Sequence, residues 1–213
     1  MKRFVLPILI TLFIISASAV FTLNFRPLYY HDISSLNIEE TSGYSENVIR
    51  ENYDPLIDYN SVFHRGSLDL SLPMSREGRI HFQDVKRIFD VLQILCVLSL
   101  IGSLILGIRA WKQGYRGFLK SAAVLSVFLP VIAGILIAFN WDNAFILFHE
   151  LMFSNDYWLF DERTDPVINI LPDEFFLHCA LLIILLILAA SLIMGLIYLR
   201  QKKRRSGGPQ LTF

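Results

Sequence analysis

The amino-acid sequence predicts an all-α membrane protein, with four transmembrane helices and a small mixed α+β extracytoplasmic cap formed by two long loops. Three observations predict this fold class: a high apolar content, four apolar runs of spanning length, and basic residues gathered in a few short segments. Hydrophobic residues make up 54% of the chain and the mean hydropathy is +0.50, whereas soluble domains contain roughly 45–50% apolar residues. The 19 basic residues balance the 19 acidic ones, so no net charge attracts the chain to nucleic acid.

Four apolar runs are long enough to cross a bilayer, whose hydrocarbon core of about 30 Å requires roughly 20 helical residues. They predict transmembrane helices over residues 1–23, 88–108, 121–140 and 175–199. The remaining segments are a first long loop (24–87), a basic loop (109–120), a second long loop (141–174) and a basic tail (200–213).

The distribution of charge predicts the orientation in the membrane. Basic residues without any acidic neighbour occupy Lys2 and Arg3, the basic loop and the basic tail, and the positive-inside rule assigns such segments to the cytoplasm. Both termini are then cytoplasmic and both long loops lie outside. The first run is compatible with a signal peptide, but it exceeds the roughly 7–15 apolar residues typical of one, so a retained anchor is favoured. The end of the tail, from Ser206 to Pro209, is predicted to be disordered.

Local patterns predict the elements of the first long loop. Ser45 starts a short helix, which Pro55 ends before a second short helix over 56–59. Residues 68–72 alternate apolar and polar side chains, as a half-buried strand does. These elements together predict the mixed α+β cap.

The start of the second long loop is predicted to form an interfacial helix. Asn140 or Asp142 is suited to cap it. One face of this helix then carries Trp141, Phe145, Phe148, His149 and Met152. Because aromatic residues favour the membrane–water interface, we expect this helix to lie beside the third span at that level.

Two histidines are candidate acid–base groups. His81 lies a couple of helical turns before the second span. Asp84, three residues later, shares its helix face and is suited to orient the imidazole or to stabilise its charged form. His149, followed by Glu150, lies on the interfacial helix, so both rings are expected at one depth. Two other interpretations stay open. The histidines are either hydrogen-bonded structural residues or, with the two carboxylates, ligands of a zinc site, although no HExxH motif or close His/Cys pair supports zinc.

A polar and aromatic stretch of the second long loop, residues 155–165, contains several carboxylates and one basic residue, Arg163. Carboxylates near lipid are costly unless they meet donors or cations. They either cap turns, dock the two loops by meeting Arg65, Arg76 or Arg79 of the first long loop, or bind a substrate amine.

Several catalytic motifs are absent from the sequence: it has no GxSxG, SxxK, Walker A or GxGxxG pattern. Its two cysteines, Cys96 and Cys179, lie inside or beside apolar runs rather than in the loops. We therefore expect no protein nucleophile, no bound nucleotide, no metal and no other cofactor. Histidine general acid–base catalysis is the chemistry that remains.

The segments around both histidines resemble one family of membrane proteins. They read RIHFQDVK (79–86), FHELMFSNDYWLFD (148–161), TDPVI (164–168) and LPDEFF (171–176). In combination they resemble the lipoprotein intramolecular transacylase (Lit) family of Gram-positive bacteria, over essentially the whole chain. Phe82 departs from the family, in which methionine often follows the first histidine.

The resemblance implies an enzyme, an acyltransferase of the plasma membrane with its active site at the outer leaflet. The implied reaction moves an acyl chain from the sn-2 ester of a diacylglyceryl lipoprotein to the α-amine of its N-terminal cysteine, and yields a lyso-form lipoprotein. The implied partners are diacylated bacterial lipoproteins and the phospholipid bilayer, with no nucleic acid and no nucleotide.

The resemblance also implies roles for individual residues. His81, oriented by Asp84, is expected to act as general base, with His149 as general acid or oxyanion donor, and the reverse assignment stays open. Supporting roles are expected for Glu150, Asn155, Asp156, Trp158 and Asp165, and substrate-binding or loop-docking roles for Arg65 and Arg79. The competing hypotheses are a non-catalytic lipid- or lipoprotein-binding membrane protein and a zinc-dependent membrane hydrolase.

Overall fold

The computed structural model describes residues 2–206, and the side chains of residues 4–204. Within this range the chain is helical and contains no strand. The helices are α1 (Lys2–Asn24), α2 (Arg26–Ser35), α3 (Ile38–Ser42), α4 (Glu46–Tyr59), α5 (Arg76–Lys112), α6 (Gly117–Phe139), α7 (Trp141–Met152) and α8 (Asp173–Ser206), with a 3-10 helix at Pro166–Ile170. The tail predicted to be disordered lies, from Gly207 on, outside the described residues.

Four of these helices are long and apolar enough to cross a membrane: α1, α5, α6 and α8. In each of these helices, only 6% to 28% of the most apolar 18-residue stretch is buried inside the protein. Helices with so much exposed apolar surface are stable in lipid rather than in water. The predicted four spans are therefore present, and the protein is membrane-integral.

Helix α5 is much longer than a bilayer is thick. Its 37 residues extend over about 55 Å, against about 30 Å of hydrocarbon. Charged side chains recur along it as far as Asp90, and none occurs over 91–108. Because charges are expensive in hydrocarbon, residues 91–108 are the membrane-spanning part, and the first four turns, which carry His81, lie beyond it.

The described chain divides into two compact units. The span unit contains residues 2–18, 95–134 and 183–206, and the loop unit contains residues 19–94 and 135–182. In the span unit, a core of Leu6, Ala110, Phe118 and Leu119 joins α1, α5 and α6. The Ser191 hydroxyl of α8 donates to the Ala123 carbonyl of α6 at 2.6 Å.

The loop unit has the larger hydrophobic core, centred on Tyr29 of α2. This ring stacks on Tyr53 of α4 at 3.7 Å between centroids and meets the edge of Phe175 of α8 at 4.9 Å. Its hydroxyl donates to the Ile170 carbonyl at 2.5 Å. One aromatic side chain thus joins four elements distant in sequence.

The mixed α+β cap predicted from the sequence is wrong, because the predicted strand at residues 68–72 is irregular. Leu68 and Leu72 are buried as the alternation indicated. However, Asn52 of α4 forms hydrogen bonds with this segment in place of a neighbouring strand. Its Oδ1 accepts from the Leu72 amide at 3.0 Å, and its Nδ2 donates to the Ser71 hydroxyl at 2.8 Å. A helix side chain therefore replaces the expected strand pairing, and the cap is all-helical.

The helix break predicted at Pro55 is also wrong. Helix α4 continues through Pro55 to Tyr59. A proline inside a helix removes one backbone hydrogen bond, but α4 buries Ile49, Tyr53 and Leu56 in the loop-unit core. Burial of this apolar face offsets the loss and keeps one helix where two were expected.

A buried carboxylate joins α2 to the start of α8. Asp32 is 1% exposed and accepts from His178 Nδ1 at 3.0 and 2.9 Å, and from the Ser35 hydroxyl at 3.1 Å. A carboxylate buried in an apolar core is stable only with such partners. This contact has no counterpart in the sequence-based expectations.

We expect His178→Ala to destabilise the protein by about 1–3 kcal/mol, because it removes the main donor of a buried carboxylate. Thermal unfolding in detergent measures this change, and a loss of this size lowers Tm by several degrees. His31→Ala is the matched control, since His31 is exposed on α2. Equal Tm values for the two variants would contradict the structural role of the Asp32–His178 contact.

Candidate active site

The two histidines selected from the sequence lie side by side in the loop unit. His81 projects from the second turn of α5 and His149 from the last turn of α7. Their ring centroids are 6.2 Å apart, with the ring planes inclined by 29°. Two imidazoles from separate loops therefore face one small space.

His81 is enclosed by aromatic rings. Its side chain is 6% exposed, and its ring lies 4.8 Å from that of Phe153 and 5.4 Å from that of Phe160. Burial and, to a smaller extent, the nearby His149 lower the pKa of His81 to about 4, while Asp84 acts in the opposite direction. At neutral pH His81 is therefore uncharged.

His149 has a defined tautomer. Its Nδ1 donates to the carbonyl oxygen of Phe145 one turn earlier, at 2.8 Å. A carbonyl oxygen only accepts, so Nδ1 carries the proton and Nε2 of the neutral ring keeps its lone pair. Burial lowers the pKa of this half-buried histidine, and the carbonyl contact and the charge of Asp173 partly oppose the shift. His149 is thus a neutral ring with an available acceptor nitrogen.

Further aromatic residues hold the His149 ring in place. Trp158 stacks on it at 4.8 Å and 29°, and Phe145 lies at 4.2 Å. Helix α7 begins as predicted after Asn140, whose side chain accepts from the Asn143 amide at 2.8 Å. Two members of the aromatic face predicted for this helix, Phe145 and Phe148, therefore contact the histidine.

The hydrogen bond expected between Asp84 and His81 is not formed. Asp84 instead accepts from Arg87 at 2.7 Å and from the Asn155 side-chain amide at 3.3 Å. Arg87 is also three residues from Asp84, and an ion pair competes better for a carboxylate than a neutral imidazole does. Asp84 therefore connects α5 to the second long loop, and its effect on His81 is that of a nearby charge.

The other residues predicted to support the site occupy different environments. Asp165 is 3% exposed, and it accepts from the Ser75 amide at 2.8 Å and from the Thr164 hydroxyl at 2.7 Å. Glu150 and Asp156 are exposed. Asn155 and Trp158 contact the site through Asp84 and His149, respectively, as described above.

The arginine-mediated docking of the two loops is not observed. Arg65, Arg76 and Arg79 are exposed, and no ion pair in the described part of the chain includes them. Asp161 pairs instead with its near neighbour Arg163 at 2.7 Å. Contacts between sequence neighbours cost less chain entropy than those between loops, and hydrogen bonds to Asp84 and Ser75 dock the loops instead.

Several residues of the site escaped the sequence-based selection. Phe145, Phe153 and Phe160 form its walls, Asp173 supplies its nearest additional charge, and Gly78 allows the close approach of the second long loop. A single phenylalanine has no distinguishing pattern, but a glycine in the first turn of a helix is an available signal, because glycine disfavours helices. Among the described residues, no three His, Cys, Asp or Glu side chains converge to hold a metal ion.

Comparisons with known proteins identify the family. The sequence model of the lipoprotein intramolecular transacylase Lit matches residues 4–176. The membrane-integral lipoprotein intramolecular transacylase Lit from Bacillus cereus is 37% identical to this chain, with a TM-score of 0.94 and 96% of each chain covered. None of the curated proteins matches the chain.

Two further structures of the Bacillus cereus protein carry one substituted histidine. The form with arginine is 36% identical to this chain, with a TM-score of 0.87, and covers 98% of this chain and 93% of that one. The form with alanine is 36% identical, with a TM-score of 0.86, and covers 96% and 94%. The chain therefore belongs to the lipoprotein intramolecular transacylase family and is an acyltransferase.

Proposed function

We propose that this enzyme transfers an acyl chain from the sn-2 ester of a diacylglyceryl lipoprotein to the α-amine of the same N-terminal cysteine. The product is an N-acylated lyso-form lipoprotein. The observation that carries this proposal is the pair of neutral imidazoles of His81 and His149, 6.2 Å apart between centroids in an aromatic enclosure. Family membership supplies the reaction type.

An intramolecular reaction suits a site that relies on histidines. The ester and the amine belong to one substrate, so holding it folded supplies a high effective molarity. Aminolysis of an ester to an amide is downhill and needs no nucleotide. The enzyme has only to orient the substrate, move one proton and stabilise the tetrahedral oxyanion.

The proton follows a simple route. The amine nitrogen attacks the sn-2 carbonyl carbon, loses a proton, and forms the new C–N bond. The bond from the acyl carbon to the glycerol oxygen then breaks, and that oxygen takes a proton to become the free sn-2 hydroxyl. One group that first accepts and then returns the proton completes the reaction.

His149 is suited to carry that proton. Its Nδ1 donates to the Phe145 carbonyl, so Nε2 is free to accept from the amine and to return the proton to the glycerol oxygen. His81, whose pKa of about 4 keeps it neutral, is then suited to donate a ring N–H to the oxyanion. This is the reverse of the division favoured from the sequence, and the tautomer of His149 is the observation that supports it.

The aromatic walls serve the same chemistry. Phe153 and Phe160 pack against the His81 ring, and Trp158 stacks on the His149 ring, so they limit the access of water to both imidazoles. Excluding water suppresses hydrolysis of the ester, which would compete with aminolysis, and strengthens hydrogen bonds to the oxyanion.

We further propose that the site faces the outer leaflet of the plasma membrane and that both termini are cytoplasmic. Eleven of the 19 basic residues, and no acidic residue, lie within residues 2–3, 109–120 and 200–205. The positive-inside rule assigns these segments to the cytoplasm. His81 precedes the charge-free part of α5 by about 15 Å of helix, which puts it outside the hydrocarbon core on the side of the long loops.

Purified enzyme in detergent, incubated with a diacylated lipoprotein, is expected to move one acyl chain from the glycerol to the cysteine nitrogen. The total acyl content of the substrate stays constant, because the transfer is intramolecular. Mass spectrometry of the N-terminal peptide locates both chains. Release of free fatty acid without N-acylation would instead identify a hydrolase and contradict the proposal.

His81→Ala and His149→Ala are each expected to lower kcat by about 10²–10⁴-fold, the usual contribution of a positioned acid–base group. His31→Ala is the control, because His31 is exposed on α2 and lies outside the enclosure. Initial rates of N-acylation measure the effect. Near wild-type turnover by either site variant would remove that histidine from the mechanism.

Activity is expected to rise with pH across the acidic range. Burial lowers the pKa of both histidines. As pH rises, each ring therefore loses its proton and becomes active at a pH below the ordinary histidine pKa of about 6.5. The substrate amine, with a pKa of roughly 7.7–8, loses its proton at higher pH and extends the rise. A profile of kcat/KM between pH 5 and pH 9 checks this, and an alkaline decline beginning near pH 7 would indicate a required imidazolium instead.

A further inference from the structure

The first turn of α5 is held by contacts from both sides. The Ser75 hydroxyl accepts from the Gly78 amide at 2.9 Å, as an N-cap does. The Ser75 amide in turn donates to Asp165 at 2.8 Å. A carboxylate at this end of a helix also complements the positive end of its dipole. The second long loop thus docks at the start of α5, six residues before His81.

Gly78 lies at the point of closest approach. A Cβ atom at this position would overlap Asp165 Oδ1 and would lie 3.1 Å from Phe160 Cε1. Asp165 cannot move away at low cost, because it is buried and held by Ser75 and Thr164. The loop therefore fits only against a helix without a side chain at position 78.

The same contact reaches the His81 ring. Residues three apart are neighbours on a helix surface, so Gly78 and His81 share one face of α5. Phe160, which packs over Gly78, meets the His81 ring edge-on at 5.4 Å and stacks on Phe82 at 5.6 Å. If a side chain at position 78 displaced Phe160, the packing around the His81 ring would therefore change as well.

We propose that Gly78 is a positioning residue for the transacylation: its lack of a side chain lets Asp165 and Phe160 seat on α5 and fix the His81 imidazole. This inference rests on the proposed function for its effect on turnover. Its effect on the packing of His81 does not depend on what reaction the site performs.

Gly78→Ala and Gly107→Ala form a matched pair of variants. Both glycines lie in α5, and a Cβ at Gly107 meets nothing within 4 Å. Alanine is the better helix former, so by helix propensity alone neither substitution harms the protein. We expect Gly78→Ala to lower kcat for N-acylation by about tenfold or more with KM within about threefold, because small misplacements of catalytic groups are costly. Gly107→Ala is expected to stay near wild type.

Chemical labelling tests the packing of His81 independently of activity. Diethylpyrocarbonate modifies accessible neutral imidazoles, and mass spectrometry of peptides gives the rate at each histidine. We expect slow labelling of His81 in the wild type, labelling at least about fivefold faster in Gly78→Ala, and unchanged labelling of exposed His31 in both. If the wild type fails to transfer acyl groups while His81 becomes reactive in Gly78→Ala, the proposed function fails and the positioning role stands.

Asp165→Ala supplies the second test, and it serves also if Gly78→Ala does not fold. If Gly78 acts by admitting Asp165, the double variant is expected to label His81 no faster than Asp165→Ala alone, because coupled residues are not additive. Equal His81 labelling and turnover in Gly78→Ala and Gly107→Ala would overturn the inference. So would unchanged His81 labelling in Asp165→Ala.

Discussion

The docking of the second long loop on the first turns of α5 is the constraint on which the candidate site depends. His81 lies on α5 and His149 on α7, and these helices come from different loops of the sequence. Two hydrogen bonds join the start of α5 to the loop that follows α7: Asn155 donates to Asp84, and the Ser75 amide donates to Asp165. Both acceptors are carboxylates, and charge-assisted bonds of this kind are stronger than neutral ones. The distance between the two imidazoles follows from this docking.

The transmembrane helices were predictable because a bilayer imposes a length and an apolarity that a sequence must satisfy by itself. The cap was not predictable in the same way. Residues 68–72 alternate apolar and polar side chains as a strand does. However, Asn52 of α4 forms the hydrogen bonds to this segment that a strand partner would have formed. Alternation records which side chains are buried, and in a loop it does not record what satisfies the backbone.

The sequence singled out two histidines that lie side by side in the structure, but it did not single out their surroundings. A histidine beside a span is a candidate acid–base group by its chemistry, whereas a phenylalanine such as Phe153 or Phe160 has no reactive group that would single it out. The predicted Asp84–His81 bond failed for another reason. Asp84 has a charged neighbour, Arg87, at the same three-residue spacing, and spacing alone does not rank two partners on one helix face.

The hydrogen-bonding state of His81 suits the role proposed for it. A buried polar atom without a hydrogen-bond partner costs about 1–3 kcal/mol. In the described structure His81 Nδ1 is buried and has no hydrogen-bond partner. A phenylalanine at this position would avoid that cost. Retaining an imidazole in an environment that favours a phenyl ring is expected where the ring has chemical work to do, since functional sites are where local stability is given up. The hydrogen bonding of His149 suits the role of proton carrier proposed for it. Its Nδ1 donates to the Phe145 carbonyl, which leaves Nε2 for the substrate.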